Sequence, residues 1–527
     1  MDDGRMPTRE GGRGGQDHRL SPFPMTVQAR QAARLMSIAT LCIYVSTAGG
    51  GLTSVDGVAA YEVTRNLLLH RSFATSTYRD AARRSYSPFG IGQSLFNIPF
   101  YVAGRTARQW SGLRVGRQET LEKSAVSLGS AVAAAGTVWI VYLFAWRLGG
   151  SLVGARRAAL ALGFGTLIWP YSKLGFNAPL TAWCLTAGLY SLWVGVRLDR
   201  RRMLAWAGVW LGYAFLTRHE MAVAAAAAVA WTAFESLPDW RRLSERLMRL
   251  SIPLAAALGL WLWYNFARFG NAFDAGYSGD AALSFSDPMR VGIPGLLFTP
   301  GRSLFLYTPL TIAGVLALPG LAGRDRSTGA LFAGVLTVFL LLYGSLPYWD
   351  GLRSYGPRYL VPLLPLLIIP LVWWLQPGGS RWRRALLWLA ALSVVVQLPG
   401  VIVDFSKVAV AHGRETGDYS RDAKIYNWRE SSLVLDLRAV VKAVPINARY
   451  LVHGERPPGL TTRSDEDDRA FSRQFDFSLD FWWLYFYYVG VISAPMAVAF
   501  GLAPLLAAAL VLRHARSQEV LRARSGA

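Results

Sequence analysis

The sequence predicts an all-α polytopic membrane protein with about twelve transmembrane helices and membrane-surface helices in its first external loop. Three observations lead there. Apolar residues make up 53% of a 527-residue chain with 20 Trp and 22 Tyr, and mean hydropathy is +0.27, too apolar for soluble domains of that length. The apolar residues gather into runs of about 20, the length that crosses about 30 Å of hydrocarbon. Basic residues fall in short clusters between those runs. The net charge of +22 therefore forms no basic domain able to grip nucleic acid, and topology together with anionic membrane lipid accounts for it. Cys42 and Cys184 both lie inside apolar runs, which argues against a disulfide framework or a thiolate metal site.

In chain order, residues 1–30 are rich in Gly and Arg, lack a core-forming pattern and read as a disordered cytoplasmic tail. A signal peptide would place its apolar segment closer to the start, so the first run reads as an uncleaved helix. The apolar runs lie near 31–51, 121–146, 154–171, 178–196, 203–216, 220–235, 250–267, 303–320, 328–346, 359–375, 384–403 and 481–512. Residues 31–403 form the main transmembrane module, with a long external loop over 52–120. That loop holds a helix-compatible stretch from Val58 to Leu69 and an apolar one from Phe89 to Gly104, interrupted by Pro99; two membrane-surface helices fit it. Residues 404–480 are polar and read as an external cap or interfacial segment. Within them, Leu433, Leu437, Val440, Val441 and Val444 share one helical face. The last run, 481–512, precedes a cytoplasmic tail over 513–527.

Orientation follows from the excess of Lys and Arg in cytoplasmic loops. An inside N-terminus also places Arg156-Arg157, Arg200-Arg201-Arg202, Arg241-Arg242, Arg383-Arg384 and the C-terminal arginines inside. Asp56, Glu62, Asp80, Arg83, Arg84, Tyr86, Lys173, Arg218, His219, Arg302, Asp350, Arg353 and Arg358 then gather at the outer face. Ionisable residues beside hydrocarbon must be paired, solvated or functional, because burying them alone is costly. Asp56, just past the first run, is the leading candidate. Arginine suits a phosphate or pyrophosphate there, since its fork makes paired charge-assisted hydrogen bonds and stays ionised near lipid.

Plainer roles stand beside these. Asp is a favoured N-cap for the helix that follows Asp56, and Arg83-Arg84 suits a lipid headgroup. Arg218-His219-Glu220 reads as a tight external turn with an internal ion pair, and Asp350 as a partner for Arg353. Glu62 and Asp80 lack the tight spacing of a divalent-cation site, so metal ligands stay unknown.

Three strings carry a family likeness: Asp56-Gly57-Val58-Ala59-Ala60-Tyr61, Tyr86-Ser87-Pro88-Phe89-Gly90 and Gly356-Pro357-Arg358-Tyr359. Together they resemble the bacterial GT-C glycosyltransferases, in the dolichyl-phosphate-mannose-protein mannosyltransferase-like group that includes lipid A aminoarabinose transferases. The resemblance implies a polyprenyl-phosphate-linked sugar donor, an acceptor reached from the outer face and the first-loop acid, here Asp56, as catalytic base. Where many relatives hold a second acid, this sequence has Gly57 and Asn177. No cofactor is assigned, and a divalent cation is left open.

The expected function is transfer of a sugar to an acceptor hydroxyl of a glycan, lipid or protein at the periplasmic face of the cytoplasmic membrane, in cell-envelope glycosylation. Tyr61, Glu62, Arg83, Arg84, Tyr86, Lys173, Arg218, His219, Arg302, Asp350, Arg353 and Arg358 are the candidate substrate-binding residues. A transporter or flippase for a lipid-linked saccharide is the alternative, but it should carry polar residues at mid-membrane depth. A non-catalytic envelope-assembly protein is the other, and in it Asp56 would be replaceable.

Overall fold

A computed structural model describes residues 22–76, 85–110, 115–277, 289–378, 382–417, 420–456 and 479–525. Among the described residues the fold is helical throughout, apart from one isolated bridge between Ala74 and Tyr86. The principal helices are α1 (Val27–Ser46), α2 (Val55–His70), α3 (Gly92–Trp110), α4 (Val115–Gly149), α5 (Leu152–Gly165), α6 (Ala178–Arg197), α7 (Arg201–Thr217), α8 (Ala222–Ser236) and α9 (Trp240–Phe269). They continue with α10 (Met289–Phe298), α11 (Leu310–Arg324), α12 (Arg326–Gly344), α13 (Arg383–Ile402), α14 (Phe405–Thr416), α15 (Arg421–Tyr426), α16 (Ser432–His453), α17 (Trp482–Tyr488) and α18 (Ala494–Ser525).

Each of the twelve apolar runs contains helix, but among the described residues seven helices are long and apolar enough to cross a membrane. The others are shortened by Pro, Gly and polar turns. The run at 303–320 splits at Thr308 into a single turn and α11, and the last run breaks between α17 and α18, where Gly490 has φ +81°. The segment Arg358–Leu375 alternates 3-10 and α turns around Pro362, Pro365 and Pro370. Proline removes a hydrogen-bond donor in each turn it enters, and the buried neighbours compensate by packing.

Burial separates centre from periphery. In the most apolar stretch of α6, 94% of residues are buried, against 17% for α9 and α18. A helix apolar all round belongs at the centre of a bundle, and one whose apolar surface is open belongs against lipid. The ends of the bundle away from the first loop are bolted by Arg197, which reaches Glu235 and Asp325 at 2.7 Å each. At the opposite end, α17 is tied to α1: the indole N–H groups of Trp482 and Trp483 donate to the carbonyls of Val45 and Ser46 at 2.7 and 2.9 Å.

The two helices expected in the first loop are present as α2 and α3. Ser54, not Asp56, caps α2: its hydroxyl accepts from the Gly57 N–H at 3.0 Å. In α16 the apolar face read from the sequence is divided: Leu433 and Val440 are half-buried and pack against the protein. Leu437, Val441 and Val444 are exposed, whereas Leu435, Ala439 and Ala443 are buried.

Candidate active site

A cavity of about 540 Å³ lies where three parts of the chain meet: the start of α2, the loop before Arg358, and the cap formed by α14, α15 and the first turn of α16. Asp56, Arg302, Asp350, Arg353 and Arg358 all line it. These residues come from positions far apart in the sequence, and the cavity is what joins them.

Asp56 occupies the first turn of α2 and is 6% exposed. Because Ser54 already serves the helix N-terminus, the Asp56 carboxylate is left to face the cavity. There its Oδ1 lies 3.4 Å from Nη1 of Arg358. Arg358 is held in turn by the Tyr359 hydroxyl at 3.3 Å and lies over the Phe176 ring. A Cβ on Gly351 would come within 2.8 Å of Arg358 Cγ, so the loop must carry glycine for the arginine to lie against it.

The same loop is bent at Leu352, a non-glycine residue with φ +55°. Strain of this kind persists where the surroundings fix it. Arg302, only 2% exposed, supplies the fixing: it donates to the carbonyls of Gly301, Ser354 and Leu352. Arg302 thus braces the loop that presents Arg353. Arg353 itself is exposed to the cavity and carries no side-chain hydrogen bond or ion pair among the described residues.

Asp350 pairs with Arg421 of the cap at 2.9 Å, not with Arg353. Arg421, Lys424 and Glu430 are cavity residues that the sequence reading did not single out. Their signal was present, since 404–480 was read as a cap over the outer face, but no local motif marks them. The cavity wall therefore combines Arg302, Arg353, Arg358, Arg421 and Lys424 with Asp56, Asp350 and Glu430, leaving cationic charge in excess. Glu430 also contacts Nε2 of His412, which joins α14 to the start of α16.

The cap is locked down by buried charge. Lys173 reaches Asp480 at 2.8 Å and donates to the carbonyls of Val401 and Asp480. Asp404 caps α14 and accepts from the Thr53 hydroxyl at 3.3 Å, three residues before Asp56. Asp436 is 1% exposed with neither oxygen hydrogen-bonded among the described residues, and burial pushes its carboxyl well above the usual range.

Several expected substrate-binding residues lie outside the cavity. Lys173 is spent on the clamp just described. Tyr61 donates to Glu122 at 2.8 Å on the far side of α2, because it falls on the face turned to α3 and α4. Glu62 accepts from the Ser76 amide and hydroxyl, closing its own loop. Tyr86 pairs with Ala74 and packs edge-on against Phe269. Arg218 forms the expected turn pair with Glu220 at 3.7 Å and lies over the Tyr359 ring, a layer behind Arg358. His219 is enclosed by Phe215, Trp261 and Tyr277, and desolvation lowers it to about 4, so it is neutral at pH 7. Arg83 and Arg84, with Asp80, lie outside the described residues.

The two departures from the family pattern have different surroundings. A Cβ at Gly57 would lie 2.6 Å from Ser54 Oγ and 2.8 Å from the Gly175 carbonyl, so this backbone leaves no room for an acid there. Asn177 is 7% exposed, and its Oδ1 has no hydrogen-bond partner among the described residues. Among the described residues no three His, Cys, Asp or Glu side chains cluster closely enough to hold a divalent cation, and Asp56 and Asp350 are each engaged by an arginine.

In backbone shape the chain is similar to ArnT from Cupriavidus metallidurans. In the apo state the TM-score is 0.47 at 14% identity, over 91% of this chain and 75% of that one. Bound to undecaprenyl phosphate, the same protein gives 0.45 at 14% identity, over 91% and 76%. The oligosaccharyltransferase AglB from Archaeoglobus fulgidus, in complex with an inhibitory peptide and a dolichol-phosphate, gives 0.40 at 12% identity, over 88% and 63%. No curated protein matches the chain. The charged residues of the cavity lie outside the segment that carries the family match. Residues 119–264 match the family described as dolichyl-phosphate-mannose-protein mannosyltransferase, the group whose likeness the sequence strings carry.

Proposed function

We propose that the protein is a membrane glycosyltransferase that moves a sugar from a polyprenyl-phosphate donor to an acceptor hydroxyl, with the Asp56 cavity as its active site. The observation that carries this reading is the convergence of one buried carboxylate, Asp56, with Arg353 and Arg358 in a cavity of about 540 Å³. The family match over residues 119–264 supports it.

In this reading the acceptor oxygen attacks the anomeric carbon while Asp56 takes the hydroxyl proton. A positioned base of this kind contributes about 10²- to 10⁴-fold. As the new C–O bond forms, the bond between the anomeric carbon and the phosphate oxygen breaks, and the electron pair leaves with the polyprenyl phosphate. Arg353, with no partner to give up among the described residues, and Arg358, already fixed beside Asp56, meet that growing charge. Cations set in place beforehand stabilise the transition state more than the ground state. Arg302 holds the loop in position, and Arg421 keeps Asp350 from competing for those cations. One displacement inverts the anomeric centre. With the arginine-rich loops inside, the cavity opens to the periplasm or cell exterior, and the protein resides in the cytoplasmic membrane.

The test is single-turnover transfer by the purified protein in proteoliposomes supplied with polyprenyl-phosphate sugars and a panel of envelope glycan, lipid and peptide acceptors. Release of free polyprenyl phosphate with an inverted glycoside supports the reading. Movement of intact lipid-linked sugar across the bilayer without cleavage would replace it with a flippase.

A further inference from the structure

A second cavity, of about 370 Å³, lies at the other end of the helix bundle. The placement follows from two helices that run between the cavities. Beyond its C-terminal end α1 leads to Thr53 and Asp56, while its first turns carry Arg30 and Arg34; α6 starts just after Phe176 of the first cavity and ends just before Arg200 of the second. Each is 20 residues long, a rise of about 30 Å. The two cavities therefore face opposite membrane surfaces.

Among the described residues, four arginines line the second cavity, Arg30, Arg34, Arg147 and Arg200, and no carboxylate does. None of the four forms an ion pair among the described residues. Like charges gathered around one small space repel, and an anion between them relieves that repulsion. Arg147 is already oriented: its Nη1 donates to the Phe23 carbonyl at 2.7 Å, while its Nε is buried without a partner. The segment that closes this side is fixed as well, since Phe23 N–H donates to the Arg147 carbonyl at 3.0 Å and the Trp146 indole to that of Pro24 at 3.1 Å. The remaining wall is apolar, with Trp139 and Tyr190 beside Leu143. A cationic mouth on an aromatic and aliphatic wall suits an anion that carries a hydrocarbon tail, and arginine's fork matches phosphate oxygens in pairs.

We propose that this cavity binds the phosphate headgroup of an anionic membrane lipid, in the leaflet opposite the Asp56 cavity. A free phosphate ion would share the headgroup chemistry but would make no use of the apolar wall. Arg34 and Arg200 are exposed and form no side-chain hydrogen bonds among the described residues, so changing them leaves the fold intact.

The full-length protein, purified in a neutral detergent, is titrated with dioctanoyl phosphatidylglycerol and read by native mass spectrometry, with dioctanoyl phosphatidylcholine and inorganic phosphate as comparison arms. The wild type should retain one phosphatidylglycerol more tightly than phosphatidylcholine, and millimolar inorganic phosphate should not displace it. Arg34→Gln with Arg200→Gln should weaken retention roughly 25-fold, at about fivefold per arginine. The pair Arg34→Lys with Arg200→Lys, which keeps the charge and loses the fork, should fall between and serves if the first pair misfolds. Equal retention by wild type and variants overturns the proposal. So does displacement by inorganic phosphate, which would make the cavity a free-anion site.

Discussion

Replacing Arg358 by Gln should separate the stability of the site from its chemistry. Arg358 and Asp56 stand 3.4 Å apart, with side chains 17% and 7% exposed. At an effective dielectric constant of about 20, unit charges at that distance attract by about 5 kcal/mol before desolvation is subtracted. Removing one member of a buried pair strands the other, at about 3–5 kcal/mol. Arg358 keeps some solvent contact, so a loss near the lower end, about 3 kcal/mol, is expected. Transfer should fall about 10²- to 10³-fold, the usual loss for one preorganised electrostatic donor. Adding Asp56→Asn to Arg358→Gln removes the stranded carboxylate, so the double variant should regain most of the stability and stay inactive. Stability would be followed by denaturation in detergent micelles and activity by turnover in proteoliposomes. If the two substitutions add, with a coupling below about 0.5 kcal/mol, the pair is not a unit and the reasoning fails.

Three further outcomes follow from the same geometry. Arg353→Gln should leave stability within about 0.5 kcal/mol, because the side chain holds nothing in the described protein, yet lower transfer about 100-fold; unchanged kinetics over a donor titration would remove Arg353 from the site. Lys173→Ala should cost about 3–5 kcal/mol by stranding buried Asp480, whereas Lys173→Met with Asp480→Leu should recover much of it, and limited proteolysis of the cap reads the difference. His219, lowered to about 4 by desolvation, binds protons more weakly folded than unfolded. Its contribution is therefore complete above about pH 6.5 and is lost as pH falls towards 4, up to about 3 kcal/mol. His219→Gln should flatten that acid loss, and parallel stability profiles for the two proteins would contradict it.

The sequence revealed the class of fold and the pole of the site more readily than the contacts within it. Membrane-length apolar runs and arginine clusters are local signals, so the polytopic class and the gathering of Asp56 with Arg302, Arg353 and Arg358 at one end could be read directly. Pairing is not local. Lys173 looked like a free cation in a short outer loop because the backbone it clamps, at Asp480, lies 307 residues away. Asp350 looked like a partner for its near neighbour Arg353, yet its partner Arg421 is 71 residues further on. Periodicity found the helix that became α16 but only part of its buried face: Leu433 and Val440 pack inward while Leu437, Val441 and Val444 stay exposed, since a large apolar side chain beside lipid gains nothing by turning inward. Gly57 was legible as a departure from the family pattern, but only packing against Gly175 gives the reason.

The central claim is that the Asp56 carboxylate takes the acceptor proton. The most direct measurement is single-turnover transfer by Asp56→Asn in proteoliposomes with saturating donor and acceptor, beside wild type and Asp56→Glu. The account predicts that Asn lowers the rate at least about 100-fold while donor binding persists, because Arg353 and Arg358 remain, and that Glu keeps part of the activity. Near-normal turnover by Asp56→Asn would contradict it.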